Sequence, residues 1–166
     1  MNYNQGFETF DMAMQGQGAF LVVKNKDGII NTMTIGWGSI GHIWSKPILT
    51  ILCRYSRYSF ELLKNAETFT ICIPRADELK KELAFCGSHS GRDYDKLKEC
   101  NLTLADGYGG KDYPIIKECG LIYECKIVYS QAMDPHLIRD EAIKNKYKDN
   151  DYHVLYYGEI QQCYEQ

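Results

Sequence analysis

Between Leu121 and Tyr129 the side chains alternate. Leu121, Tyr123, Cys125, Ile127 and Tyr129 fall on one face, and Ile122, Glu124, Lys126 and Val128 on the other. Successive residues of a strand point to opposite faces, so this spacing predicts a half-buried β-strand and commits the chain to a sheet with a covered face.

The other elements are read around that strand. Residues 19 to 24 form an apolar run, the turn residues Asn25-Lys26-Asp27-Gly28 follow, and a second run starts at Ile29 and Ile30, which predicts a hairpin. The second strand continues to Ile35 and enters Gly36-Trp37-Gly38-Ser39-Ile40-Gly41, too rich in glycine to stay regular. Pro47 opens another strand, Ile48 to Cys53, and Pro74 stops one that runs from Glu67 to Ile73. A helix is expected near residues 57 to 65 with Ser56 or Ser59 as its cap, a second over Ala76 to Phe85, and a short third over Asp93 to Cys100. A polar stretch holding Pro135 and the residues from Lys144 to Asp151 leads to a last strand, about Tyr152 to Cys163. Sequential strands with a few inserted helices suggest an antiparallel β-barrel in one domain spanning residues 1–166.

Charge and cysteine usage narrow the function classes. A formal charge of -3 and a pI near 5.8, without any Lys/Arg run, supply no footprint for nucleic acid. No apolar run approaches the roughly 20 residues that span a bilayer, and the opening Met1-Asn2-Tyr3-Asn4-Gln5-Gly6 lacks the charge and apolar stretch of a leader. The expectation is a cytoplasmic protein that meets neither nucleic acid nor membrane. The seven cysteines are odd in number and contain no CxxC pair, which fits reduced thiols in a core. Cys86 and His89 form a lone C-x-x-H pair without a second pair at ligand spacing, so no metal site is expected.

Three segments carry potential chemistry. The stretch from Asn31 to Gly41 combines glycines, Thr34 and Ser39 with Trp37, leaving N–H donors beside a large aromatic, which suits a flat heteroaromatic ring; a barrel corner is the alternative. Arg54-Tyr55-Ser56-Arg57-Tyr58-Ser59 brings two arginines and two hydroxyls to a helix start, as a phosphate requires; a solvated turn with serine caps is the alternative. Cys86-Gly87-Ser88-His89-Ser90-Gly91-Arg92-Asp93, with Lys96 beyond, lets backbone approach a ligand beside positive charge; a helix C-cap followed by an Asp93 N-cap is the alternative. The chain has no GxGxxG after a strand, no GxxxxGK[ST], no HExxH and no GxSxG.

The strings from Asn31 to Gly38, Arg54 to Ser59 and Cys86 to Lys96, with Tyr152-His-Val-Leu-Tyr-Tyr-Gly-Glu-Ile160, resemble, in order and spacing, those of the flavin-reductase-like FMN-binding proteins, the family of flavoredoxin. The resemblance implies a six-stranded Greek-key split β-barrel, a homodimer, and FMN near the subunit interface. It implies that Asn31, Thr32, Met33, Thr34 and Trp37 line the isoalloxazine, and that Arg54, Ser56, Arg57, Tyr58 and Ser59 surround the phosphate. Ser90, Gly91, Arg92 and Lys96 match the second flavin-contacting loop. His153 stands where many flavin reductases carry Gly-Asp-His, making it the candidate catalytic residue, although the triplet here is Asp151-Tyr152-His153.

The function so implied is an FMN-dependent oxidoreductase of the NAD(P)H:flavin reductase type, in which hydride passes from a nicotinamide (NADH or NADPH) to flavin N5. One alternative is an FMN electron carrier that trades with a redox partner protein. Another is an FMN-binding module without turnover.

Overall fold

In the computed structural model, which describes residues 3, 4 and 6–166, the expected hairpin joins β1 (Ala19–Lys24) to β2 (Ile30–Ile35). Met1, Asn2 and Gln5, part of the opening stretch read for a leader, lie outside the described residues. Asn25 closes the turn, its side-chain oxygen accepting the N–H groups of Asp27 and Ile29 at 3.1 and 2.9 Å. The chain breaks at Gly36 and Trp37 and resumes at once as β3 (Gly38–Ile43), paired with β4 (Lys46–Arg54). The expected irregularity is thus confined to two residues. Gly38 starts the new strand because a Cβ there would stand 2.9 Å from the Thr50 carbonyl and 3.0 Å from Phe10. Trp44 and Ser45 form the two-residue turn between β3 and β4, both at positive φ (54° and 58°), the twist a tight hairpin demands.

β5 (Thr68–Ile73), β8 (Leu121–Ala132) and β9 (His153–Glu165) complete a sheet of order β2-β1-β5-β8-β9-β4-β3, antiparallel at every junction, while β6 (Leu104–Gly107) and β7 (Gly110–Ile116) pair as a separate hairpin. The sheet has seven strands rather than the six expected, because the glycine stretch yields an extra edge strand. It is open, since among the described residues no ladder joins β2 to β3 or β4.

The helices depart further from the sequence reading. α1 (Phe7–Gln15) was not anticipated; Phe10 and Ala13 bury its inner face. α2 (Tyr58–Leu63) follows Arg57, which occupies the N-cap without a side-chain bond, so neither Ser56 nor Ser59 caps it. α3 (Lys80–Ser88) begins four residues later than expected because Asp77 and Leu79 take left-handed φ values of 66° and 54° and turn the chain first. α4 (Lys96–Glu99) is capped by Asp95, not Asp93. The polar stretch before β9 holds α5 (Glu141–Lys144) between two single turns.

Two apolar layers sandwich the central strands. Leu21, Val23, Ile35, Leu49, Phe69, Ile71, Tyr123 and Cys125 pack on the inner face. Phe20, Val22, Cys72 and Ile122 pack outward against Leu83, Cys86, Ile115 and Ile116. β8 is consequently buried on both faces from Leu121 to Cys125, and its expected wet face begins only at Lys126. Glu124 lies in that doubly buried part. Its carboxylate accepts the N–H groups of Tyr108 and Gly109 and the Tyr164 hydroxyl, each at 2.7 Å, and so pins the turn between β6 and β7 to the sheet. Replacing Glu124 with alanine strands those donors under the hairpin. The expected cost is about 3 kcal/mol, read as a lowered denaturant midpoint in equilibrium unfolding.

Candidate functional site

All four segments singled out in the sequence come together where β2 and Trp37 approach the end of β4, the start of α2 and the start of β9. Two cavities open there, lined by neighbouring residues of β2 and of the turn into α2. One, of about 450 Å³, is lined by Asn31, Thr32, Tyr58, Gly91, Arg92 and Lys96 among others. The other, of about 180 Å³, is lined by Met33, Thr34, Trp37, Leu52, Arg54, Arg57 and His153. A larger groove of about 1170 Å³ lies between α1 and α3 and shares Thr34 with the smaller cavity.

Several of these side chains serve the framework. The Asn31 amide donates to the Ser59 hydroxyl at 2.8 Å, and both residues are buried. Thr32 and Thr34 donate to the carbonyls of Leu21 and Leu83. Ser90 accepts the Arg92 N–H, and the Arg92 guanidinium lies over the Tyr58 ring. Gly91 is required for this closeness: a Cβ there would fall 2.1 Å from Asn31 Oδ1 and 2.8 Å from Tyr58 Cδ1. Cys86 is buried in the outer layer and His89 stacks on Phe85, which turns the C-x-x-H pair to packing.

The cations differ in their partners. Arg54 donates to the carbonyls of Asp151 and Lys146 and stands 3.5 Å from the Asp149 carboxylate. Arg92 pairs with Glu61. Arg57 donates to the Gly87 carbonyl at 2.6 Å, and Lys96 donates to the carbonyls of Thr32 and Cys86 at 3.0 and 2.9 Å. Neither Arg57 nor Lys96 meets a carboxylate among the described residues. Burial pushes the Lys96 ammonium below the usual lysine range. α2 has six residues, so its dipole adds little, and positive charge at the turn comes from the guanidinium groups.

His153 is the first residue of β9 and packs 5.3 Å from the Trp37 ring, centroid to centroid. Its Nδ1 lies 2.7 Å from the Tyr147 hydroxyl, which also stands 3.3 Å from Met133 Sδ. The phenol has one proton for two neighbours, so if it donates to Met133 Sδ then Nδ1–H donates to the phenol oxygen, and the direction of the bond to His153 follows its tautomer. His153 lines the smaller cavity together with Trp37, Arg54 and Arg57. Sequence reasoning missed Tyr147: it sits in a polar stretch with no periodicity, and only the return of the chain onto β9 packs it edge-on against His153.

Burial, followed by the nearby Arg54 charge, holds the His153 pKa at about 4, so the ring is neutral at physiological pH. The folded value lies below the ordinary 6.5, so between those values the unfolded chain binds a proton that the folded chain refuses. Stability is therefore complete above pH 6.5 and declines as pH falls toward 4. Thermal unfolding midpoints across this window should drop for the wild type, and His153→Gln should remove the His153 share of that slope.

Residues 14–166 match the flavin reductase like domain family. No curated protein matches the chain in sequence. Among solved structures, flavoredoxin of Desulfovibrio vulgaris (Miyazaki F) superposes with a TM-score of 0.69 at 20% identity, covering 90% of this chain and 69% of that one. An FMN-binding protein from Thermus thermophilus gives 0.68 at 21% identity over 90% of this chain and 71% of that one. Flavoredoxin from Methanosarcina acetivorans gives 0.66 at 25% identity over 90% and 68%. A match over nearly the whole length, on an antiparallel fold that gathers the four segments at one site, makes this chain a member of the flavin reductase-like domain family.

Proposed function

We propose that the chain binds FMN at the paired cavities and works as an FMN-dependent oxidoreductase that draws electrons from NADH or NADPH. The observation that carries this reading is the pairing of a cleft walled by Trp37 and β2 with two cations, Arg57 and Lys96, that meet no carboxylate among the described residues. A phosphate dianion needs such positive charge, and a flat ring needs such a wall. The described residues fit the cofactor on both counts.

FMN held there would supply the redox chemistry, as an acceptor of reducing equivalents from a nicotinamide. The chain's own groups orient and polarise. Trp37, with 43% of its surface exposed, offers a plane to stack on. Arg57 holds the phosphate end, and the neutral His153 ring, held by Tyr147, lines the same cavity. A second reading, an electron carrier that trades with another redox protein, draws on the likeness to two flavoredoxins and on Tyr152 standing where flavin reductases carry aspartate.

The working unit is proposed to be a cytoplasmic homodimer. Its seven free cysteines suit a reducing compartment. Among the described residues no helix is long and apolar enough to cross a membrane. Exposed Trp44 packs with Tyr129 and Tyr157 into an aromatic patch of the kind that association covers. Sedimentation equilibrium over a dilution series is expected to give a two-chain species, and a monomer at all concentrations would sink the dimer.

Flavin titration followed by anaerobic mixing tests the function. The wild type should take up FMN, and Arg57→Ala should bind it with a loss of about 1.5 to 3 kcal/mol, roughly one to two decades in affinity. NADH or NADPH should then bleach the oxidised-flavin absorbance rapidly. A bound flavin bleached by neither nicotinamide favours the carrier, and a protein that takes up no FMN ends both readings.

A further inference from the structure

Asp151 lies across the turn between β4 and α2. Its Oδ1 accepts the Ser56 N–H at 3.1 Å and its Oδ2 accepts the Ser56 hydroxyl at 2.6 Å, so one carboxylate takes both donors of one residue. Arg54 braces it, donating to the Asp151 carbonyl at 2.7 Å with its guanidinium 4.0 Å from Oδ2. Two oxygens received by an N–H and an O–H beside a guanidinium is the arrangement a phosphate edge adopts. The chain therefore fills with its own anion the seat that the Arg54–Ser59 turn would offer to a ligand's.

Each Ser56 donor has a single proton to give, so a carboxylate and a phosphate cannot both hold them. The charge argues the same way: Asp149 and Asp151 both stand within 4.0 Å of Arg54, and Arg92 is paired with Glu61, which leaves less positive charge at this end for an incoming dianion. The isoalloxazine carries no such charge and does not compete for Ser56.

We propose that Asp151 sets this chain's preference between phosphorylated and unphosphorylated flavin: it occupies the Ser56 anion seat, FMN must displace it, and riboflavin need not. The proposal rests on the FMN-binding reading above and adds the residue that limits the cofactor's phosphate affinity. A flavin phosphate takes the Ser56 N–H and hydroxyl as the Asp151 side chain swings out to water, where 20% of it is already exposed.

Fluorescence titration of wild type, Asp151→Asn and Asp151→Ser with FMN and with riboflavin tests it. Both variants lift the charge, and each is expected to tighten FMN roughly tenfold while riboflavin moves less than about twofold. Asp151→Glu keeps the charge and should not tighten FMN. Asp149→Asn removes the same charge from a carboxylate that does not touch Ser56, and should leave the FMN-to-riboflavin ratio within about twofold. Thermal unfolding checks that each variant is folded, and either neutral variant suffices. FMN affinity that is unchanged or weaker in the folded neutral variants overturns the proposal, as does an equal gain for riboflavin. If wild type and variants bind neither flavin, the FMN reading fails and takes this inference with it; if both flavins bind and their ratio stays put, only this inference fails.

Discussion

The ladder between β8 and β9 is the seam of the molecule. The sheet order β2-β1-β5-β8-β9-β4-β3 divides there into two blocks, and among the described residues the only strand pairing between them runs from Leu121↔Glu165 to Ala132↔Val154. The register shifts twice, between Glu124 and Cys125 and between Ile127 and Tyr129. An extra residue in one strand bends it and increases its twist. The bends curl the sheet so that both blocks bury their apolar residues in one inner layer, from Leu21 and Ile71 on one side to Leu49 and Ile51 on the other.

The curl also decides where chemistry can occur. β9 pairs with β4 so that His153 stands opposite Arg54, which delivers a neutral histidine and an arginine to one corner. β2 lies at the far edge of the other block, yet it reaches that corner through Gly36 and Trp37, the link to β3. The cleft is thus a gap between the sheet's two edges, bridged by a two-residue corner rather than by hydrogen bonds. Closing that gap with a ladder would remove the cavity, so the openness of the sheet and the existence of the site are one property.

Outside the inner layer, buried polar groups do the fastening. Lys96 ties α3 to β2 through the Cys86 and Thr32 carbonyls, and Gly91 lets the intervening loop lie against Asn31 and Tyr58. Both residues were expected at a flavin-contacting loop, and both line the cavity of about 450 Å³. Their packing shows that this wall is rigidly held: an ammonium buried at two carbonyls can shift only by abandoning both bonds. Glu124 fastens the hairpin of β6 and β7 in the same manner, within the same outer layer.

The strands were legible because their side-chain period and turn chemistry are local. Ala19–Lys24, Ile30–Ile35, Lys46–Arg54, Thr68–Ile73 and His153–Glu165 all lie within a few residues of where alternation, Asn-x-x-Gly and the prolines put them. The candidate segments were legible too, since arginine, serine and glycine clusters are features of composition. Local signals could not report the outer apolar layer: Glu124 reads as a wet residue until the hairpin of β6 and β7 covers it. Nor could they place α3, whose start depends on left-handed turns at Asp77 and Leu79, or count β3, whose glycines are tolerated because Phe10 and Thr50 press on one of them. The partners of the charges lay furthest from view. Arg54 and Asp151 are separated by 97 residues, and no local pattern pairs them. Sequence determined which donors the chain owns, because residue type sets hydrogen-bonding capacity; only the tertiary structure decided which of them are already spent, because that depends on strands brought together across the seam.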